Sequence, residues 1–405
     1  MKKPPLISPA FAELLAFRIL IVLSYQMVAV IVGWHIYELT HDTLALGLIG
    51  LAEVIPYFAC ALFAGYAVDH HSRRLFAVLA CVFLVLNSAL LVAVSLGLLP
   101  GDPTHWIYGS VMLMGAARAF IGPSYNALFA LILPREQYAR ASGISSSVFQ
   151  IGAVLGPALG GLLIAVSGKT VAYSVATVLA LLATVALLLL RVKEPPPAPS
   201  APVFTSIHEG LRFVFSNKLM LSAMSLDMFA VLFGGAVSML PAFIHEIYHY
   251  GAEGLGLLRA SPAVGAMVVG LVLTRHPISR HAGRWLLGAV AGFGLCIIGF
   301  GLSQHFWLSS LLLMASGVCD GISVVMRTTI YQLITPDAMR GRISAINGIF
   351  IGSSNELGAF ESGVMARLMG LVPSVVFGGA MTLLVVGVVA RVSPRLRRLE
   401  LRDLH

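Results

Sequence analysis

Charge is what this sequence has least of. Only 11% of its 405 residues are Asp, Glu, Lys or Arg, against about 25% in a soluble domain. With 58% hydrophobic residues and a mean hydropathy of +0.91, the chain reads as an integral membrane protein. Cysteine is scarce as well. Cys60, Cys81, Cys296 and Cys319 are scattered through apolar segments with no paired spacing, which argues against a disulfide framework and a thiolate metal site. The first ten residues are too short and polar for a signal peptide, and the apolar segment after them is too long for one. Gly168-Lys169-Thr170 lacks the upstream glycine of a phosphate loop. There is no soluble ATPase segment, so ion gradients are the expected energy source. No cofactor, metal, catalytic residue or nucleic-acid partner is expected, and the chain reads as a non-enzyme.

What the sequence has is long apolar runs. Crossing a bilayer core takes about 20 residues, and twelve segments reach that length: about 12–38, 44–68, 74–99, 104–133, 141–167, 170–191, 219–247, 254–275, 283–303, 307–334, 342–369 and 372–391. The one long connection starts with the proline-rich Glu194 to Pro202, an extended linker. It continues with Phe204, Ile207, Leu211, Val214 and Phe215 spaced for a short helix lying on the membrane surface. The expected organisation is a six-span bundle at 1–192, a cytoplasmic linker at 193–218, a second six-span bundle at 219–392 and a basic tail at 393–405.

The net charge of +8 is a topology signal. Basic residues crowd the connections on one side, whereas the other side has little beyond Lys169, Arg259 and Arg367. By the positive-inside rule both termini and the central linker are expected in the cytoplasm of a bacterial inner membrane, beside anionic lipid headgroups. The two halves also repeat. An offset of 202 residues carries Gly115 to Gly317, Pro134 to Pro336, Arg140 to Arg342, Gly156 to Gly358 and Gly161 to Gly363. Paired six-helix halves point to transporters that rock about a midplane site.

Three motifs carry a resemblance. Gly65-x-x-x-Asp69-x-x-x-Arg73-Arg74 follows the second span, Arg118-x-x-x-Gly122 lies in the fourth, and Gly152-x-x-x-Gly156-Pro157-x-x-Gly160-Gly161 lies in the fifth. They resemble, in order, the signature loop of the major facilitator superfamily and two motifs of its proton-coupled antiporters. Leu226–Ala236 and Ser353–Gly363 resemble the siderophore (enterobactin) exporter-like subgroup. His70 and Ser72 depart from the usual loop residues, and the second half's matching loop, Arg275 to Arg284, is degenerate. The resemblance implies an all-α fold of twelve transmembrane helices in two pseudo-symmetric six-helix bundles. It also implies a monomeric, proton-coupled exporter of a small organic molecule of siderophore or drug type.

Ionisable groups inside a span cost at least about 2.5–3.5 kcal/mol each, so each needs a reason. The first, fourth, seventh and tenth spans line the cavity by resemblance, and they carry Arg118, Asp227, Asp320 and Arg327. Arg118 and Asp320 are related by the 202 offset and are expected to face each other; Asp320 and Arg327, seven apart, share a helix face. Arg18 sits two turns into the first span, where it either snorkels or meets anionic cargo. Glu356 and Glu361 lie in the eleventh span, and Glu53 in the second is expected at a depth similar to Glu361. These groups read either as static ion pairs or as a carboxylate that alternates between a proton and an arginine. Gly65, Asp69, Arg73 and Arg74 read as a gating latch. Gly152, Gly156, Pro157, Gly160 and Gly161 read as a close-packed, kinked seam along which the bundles rock.

Other readings stay open on the residues alone. The same fold can import or facilitate a metabolite. A non-transporting sensor or scaffold is a different class. His245-Glu246-Ile247-Tyr248-His249 matches the H-E-x-x-H pattern of a zinc protease, although short motifs of this kind arise by chance.

Overall fold

A backbone polar group left unpaired in hydrocarbon costs several kcal/mol, so an apolar chain of this kind has to be helical. The computed structural model describes residues 8–192, 194, 203–276, 278, 280–336 and 339–400, and no strand occurs among them. The helices are α1 (Pro9–Thr40), α2 (Thr43–His70), α3 (Arg73–Ser95), α4 (Pro103–Ile132), α5 (Tyr138–Leu189), α6 (Val203–Ser216), α7 (Lys218–Phe233), α8 (Leu240–Phe243), α9 (Ala252–Arg275), α10 (Ala282–Leu302), α11 (Phe306–Ile334), α12 (Arg340–Met369), α13 (Leu371–Val392) and α14 (Pro394–Arg397). Among the described residues, nine helical stretches are long and apolar enough to cross a membrane. The 52-residue α5 breaks at Gly168 into two membrane-length parts, and α4 and α12 are 30 residues each. Twelve spans are thereby accommodated. Large apolar side chains such as Phe63, Leu86, Leu181 and Trp307 remain exposed, as befits a surface whose solvent is lipid.

Local chemistry sets the boundaries. Ser72 caps α3 by accepting from the Leu75 N–H at 3.2 Å, and Asn217 caps α7 by accepting from Leu219 and Met220, each at 3.1 Å. Asp102 caps α4, where Pro103 occupies the first turn. The Thr104 N–H donates to it at 2.8 Å and holds its carboxyl below the usual carboxylate range. The seventh span departs from the sequence expectation of one continuous helix. After Phe233 the chain passes through a 3-10 turn, Gly235–Met239, then the short α8, then a π turn, Ile244–Tyr248. The Gly234-Gly235 pair explains the break. A Cβ on Gly234 would lie 2.5 Å from Phe293, and Gly235 abuts the backbone of Gly358.

The chain forms two units: 1–39, 52–200 and 251–260 make the first, and 40–51, 201–250 and 261–405 the second. In unit 1, Gly161 packs on Gly256, with a Cβ on Gly161 reaching 2.6 Å from the Gly256 Cα. In unit 2, Gly363 packs likewise on Gly47, at 2.6 Å from its Cα. Each unit thus takes a short helix start from the opposite half of the sequence. The core of unit 2 includes Met220, Leu226, Leu286, Met326 and Ile330. Val214 of α6 belongs to that core, whereas its neighbour Phe215 is 60% exposed. The proline-rich 195–202 lies outside the described residues.

The repeat is visible in the backbone. Gly168 breaks α5 at φ 81, ψ 168, and Gly370, 202 residues later, separates α12 from α13 at φ 93, ψ 161. That region is open essentially to glycine alone. Each half also closes with an acidic residue beside an earlier helix start. Glu194 accepts from the Arg73 and Arg74 N–H groups at 2.7 and 3.1 Å, and Glu400 accepts from the His281 N–H at 2.8 Å.

Candidate functional site

In unit 1 the site begins with a close approach. Gly115 of α4 sits against the Glu53 backbone of α2, where any side chain would collide. One turn later, Arg118 pairs through Nη1 with the Glu53 Oε1. Glu53 is 5% exposed, and the Arg118 side chain keeps 32% of its surface open. The guanidinium also lies 5.1 Å from the centre of the Tyr25 ring of α1. A second cation lies on the same helix as Tyr25. The Arg18 guanidinium carbon is 4.1 Å from the centre of the Tyr125 ring and 5.3 Å from that of Phe149. The Arg18 Nε is buried without a hydrogen-bond partner. The Tyr125 hydroxyl is engaged with the Ser145 hydroxyl. Unit 1 therefore presents two guanidinium groups, each over an aromatic face, an arrangement suited to negative charge and flat rings.

In unit 2, Asp227 of α7 pairs with Arg327 of α11, both side chains being more than nine-tenths buried. The Arg327 Nε donates to the Ser323 carbonyl at 3.4 Å. Asp320, two turns before Arg327, lines a cavity of about 10 Å³ with Asp227, Ser323, Cys319 and Phe293. That is room for about one water. The Ser323 hydroxyl borders the cavity, buried and without a hydrogen-bond partner. Asp320 is thus a second carboxylate close to the Asp227–Arg327 pair.

Arg118 has Glu53 as an ion-pair partner, because the Gly115 contact brings α2 and α4 together at that level. Arg327 takes Asp227 of α7 as its ion-pair partner, while Asp320 lies two turns away along α11. Glu53, expected at a depth similar to Glu361, pairs with Arg118. Glu361 and Glu356 both lie on α12. One Glu361 oxygen, Oε1, is buried with no hydrogen-bond partner, and the Glu356 backbone is in contact with Gly50.

The glycine run of α5 packs on two helices. Gly152, Gly156 and Gly160 lie along α1: a Cβ on them would approach Val22 at 2.6 Å, Gln26 at 2.6 Å and Met27 at 3.3 Å. Pro157, Ala158 and Gly161 reach the start of α9 at Gly256, a contact between the first and second halves of the sequence. In the last turns of α2, Gly65 has open space around its Cβ position. The Asp69 side chain lies outside the described residues. Arg73 and Arg74 donate their backbone N–H groups to Glu194, and the Arg74 Nε donates to the Leu187 carbonyl at 2.8 Å. Arg74 so caps the end of α5 while Glu194 caps the start of α3.

The H-E-x-x-H segment does not lie on an α-helix. It runs through the π turn into His249, whose φ of 55 is left-handed and whose Nδ1 is 2.9 Å from the His245 carbonyl. The two imidazoles are therefore not displayed one α-turn apart. Among the described residues, no group of three His, Cys, Asp or Glu side chains is arranged to hold a metal ion.

Tyr25, Tyr125, Phe149 and Glu194 are site residues that motif reading misses. A signal for two of them exists in the repeat: the 202 offset carries Tyr25 to Asp227 and Tyr125 to Arg327. The buried ion pair of one half stands where the other half has two tyrosines.

Comparison with known proteins fits this architecture. The Enterobactin exporter EntS of Citrobacter koseri is 28% identical over 383 residues, covering 92% of this chain and 88% of that one. Its counterpart from Escherichia coli O81 is 27% identical over 392 residues, covering 94% and 90%. Two solved structures share the fold. An auto-inhibited POT family peptide transporter superposes with a TM-score of 0.76 at 11% identity, covering 97% of this chain and 98% of that one. A bacterial homologue of the human lysosomal transporter Spinster gives 0.73 at 16%, covering 99% and 98%. The sequence pattern of the Major Facilitator Superfamily matches residues 14–359, and the chain belongs to that superfamily as a multi-pass membrane transporter.

Proposed function

We propose that this transporter exports a small anionic organic molecule, of siderophore or drug type, in exchange for protons by alternating access. The observation that carries the reading is the charge count around Arg327: Asp227 and Asp320 against a single guanidinium, two of the three lining one small cavity. A net negative charge held inside a membrane is costly. One proton neutralises it, and Asp320 is the group outside the ion pair that takes it. In unit 1, Arg18 and Arg118 over tyrosine faces supply the cationic, aromatic surface for the cargo. An anionic cargo that draws Arg118 from Glu53 changes the charge balance of the membrane interior, which is the coupling such an exchanger needs.

The fifth-span antiporter motif, and the relatives named as enterobactin exporters, support export over import. One charge moving through 100 mV is worth about 2.3 kcal/mol, a concentration ratio of about fifty, so one proton per cycle sustains useful export. The same reading places the protein in a bacterial inner membrane as a monomer, with both termini cytoplasmic and lipid as its surroundings. The test is transport by the purified protein in liposomes with an imposed pH gradient. Substrate-driven proton movement lost in Asp320→Asn, with cargo binding retained, is the expected outcome. Undiminished exchange in that variant overturns the coupling assignment.

A further inference from the structure

Away from the charge cluster, α10 carries an outward-facing stripe with an unusual composition. His281, Arg284, Trp285 and Gly288 recur at helical spacing and are all exposed. With Ala289, and with Cys319 and Ile322 of α11, they line a groove of about 560 Å³. The Gly288 side of it is open, since a Cβ there would have nothing within 4 Å. From His281 to Ala289 the helix rises about 12 Å, so one end of the groove lies at a membrane face and the other well inside a core about 30 Å thick.

The two ends differ in chemistry. At the shallow end the docked tail adds to the basic character. Leu396 of α14 is buried against Gly283, and the Gly283 N–H donates to the Leu399 carbonyl at 3.3 Å. This brings the exposed Arg395, Arg397 and Arg398 to the start of the helix that carries Arg284. Arg280 lies exposed one residue before His281. The acidic group facing this rim is Glu400, and it is engaged by His281, through the backbone N–H at 2.8 Å and through the ring at 3.7 Å. The deep end is apolar and narrow-walled, formed by Gly288, Ala289, Ile322 and the Cys319 thiol. Trp285, half exposed, sits between them, and amphipathic rings of this kind favour the bilayer interface.

We propose that this groove is a specific site for an anionic phospholipid. The headgroup phosphate is held at Arg284 within the basic rim, and one acyl chain lies along Gly288 and Ala289 toward Ile322. Basic pockets between membrane helices recognise anionic headgroups in this way. A cargo site is less well matched, because the groove faces outward and shares only Cys319 with the cavity lined by Asp227 and Asp320. The inference does not depend on what the protein transports.

The full-length protein with Trp34, Trp106 and Trp307 changed to Phe keeps Trp285 as its reporter. It is reconstituted in mixtures of phosphatidylcholine and phosphatidylglycerol, with bromine on the acyl chains of one lipid at a time, and quenching gives relative affinity at the groove. Phosphatidylglycerol is expected to quench several-fold more strongly than its mole fraction predicts. The preference falls about fivefold in Arg284→Gln, as losing about 1 kcal/mol per basic residue implies. Gly288→Leu, at a position where an added Cβ meets nothing within 4 Å, occupies the groove and reduces quenching by both lipids. Equal quenching by the two lipids in the parent protein overturns the proposal. So does a preference unchanged in Arg284→Gln, or displacement of the brominated lipid by transported cargo.

Discussion

Asp227 on α7 and Arg327 on α11 form a buried ion pair at the positions where the first half of the repeat has Tyr25 and Tyr125. A shared framework has been given opposite chemistry, with charge paired off in one half and aromatic faces left beneath cations in the other.

Breaking that pair strands a charge in a low-dielectric interior, which costs about 3–5 kcal/mol. Asp227→Asn and Arg327→Met should each lower the thermal unfolding temperature in detergent by many degrees. Asp227→Leu with Arg327→Met removes both charges and should restore most of the loss, because an apolar pair of similar volume is often as stable. If the double variant is as unstable as the singles, the pair is not the source of the stability. If it is stable and still transports, the pair is structural packing alone.

Glu53 and Arg118 make a graded comparison. Because a third of the Arg118 side chain is open, solvent screens it when its partner is lost. Glu53→Gln should therefore cost clearly less stability than Asp227→Asn in the same melting experiment. Transport should suffer more than stability, since an Arg118 released from Glu53 holds anionic cargo too tightly to release it. A fall in turnover together with a fall in the half-saturating substrate concentration is the expected signature.

The parts of this architecture that are legible in the sequence are those written in composition and spacing. Low charge, twelve apolar runs and the 202-residue offset are one-dimensional properties, and helices in lipid follow from them. The ion-pair partners are not of that kind. Glu53 and Arg118 are 65 residues apart, and what joins them is a contact of Gly115 on the Glu53 backbone. Spacing along one helix suggested Asp320 for Arg327, but seven residues is two full turns, and Asp227 reaches Arg327 from another helix. The glycine run was legible as a packing face; that it packs on α1 and, at Gly161, on the start of α9 depends on the turn of α5, which spacing does not reveal. Glu194, first residue of a proline-rich linker, carries no motif, and its capping role appears only once the end of α5 and the start of α3 are side by side.

That packing face makes its own prediction. A Cβ at Gly156 would stand 2.6 Å from the Gln26 Cβ and 3.3 Å from the Leu23 carbonyl oxygen, neither of which is the yielding end of a flexible side chain. Gly156→Ala should destabilise by about 1–3 kcal/mol through overpacking, and Gly156→Leu should impair transport far more. Gly122, in the same motif as Arg118, has nothing within 4 Å of its Cβ position, and Gly122→Ala should leave melting temperature and transport near the parent values. Equal effects at the two sites would mean that the α1 contact is looser than it is drawn here.

The backbone repeat gives the cleanest measurement. Gly168 and Gly370 share a conformation with positive φ and extended ψ, and neither is packed tightly: nothing lies within 4 Å of a Cβ at Gly168, and at Gly370 only Pro373 approaches, at 3.7 Å. The cost of Gly168→Ala or Gly370→Ala is therefore backbone strain with little steric contribution, about 1–3 kcal/mol each. The two changes lie in different units, so their effects on melting should add within about 0.5 kcal/mol. Matching, additive losses establish that the two breaks are the same device used twice. A loss at one site alone would mean that the other chain break relaxes into a conformation that alanine tolerates, and that the repeat is kept in sequence but not in mechanics.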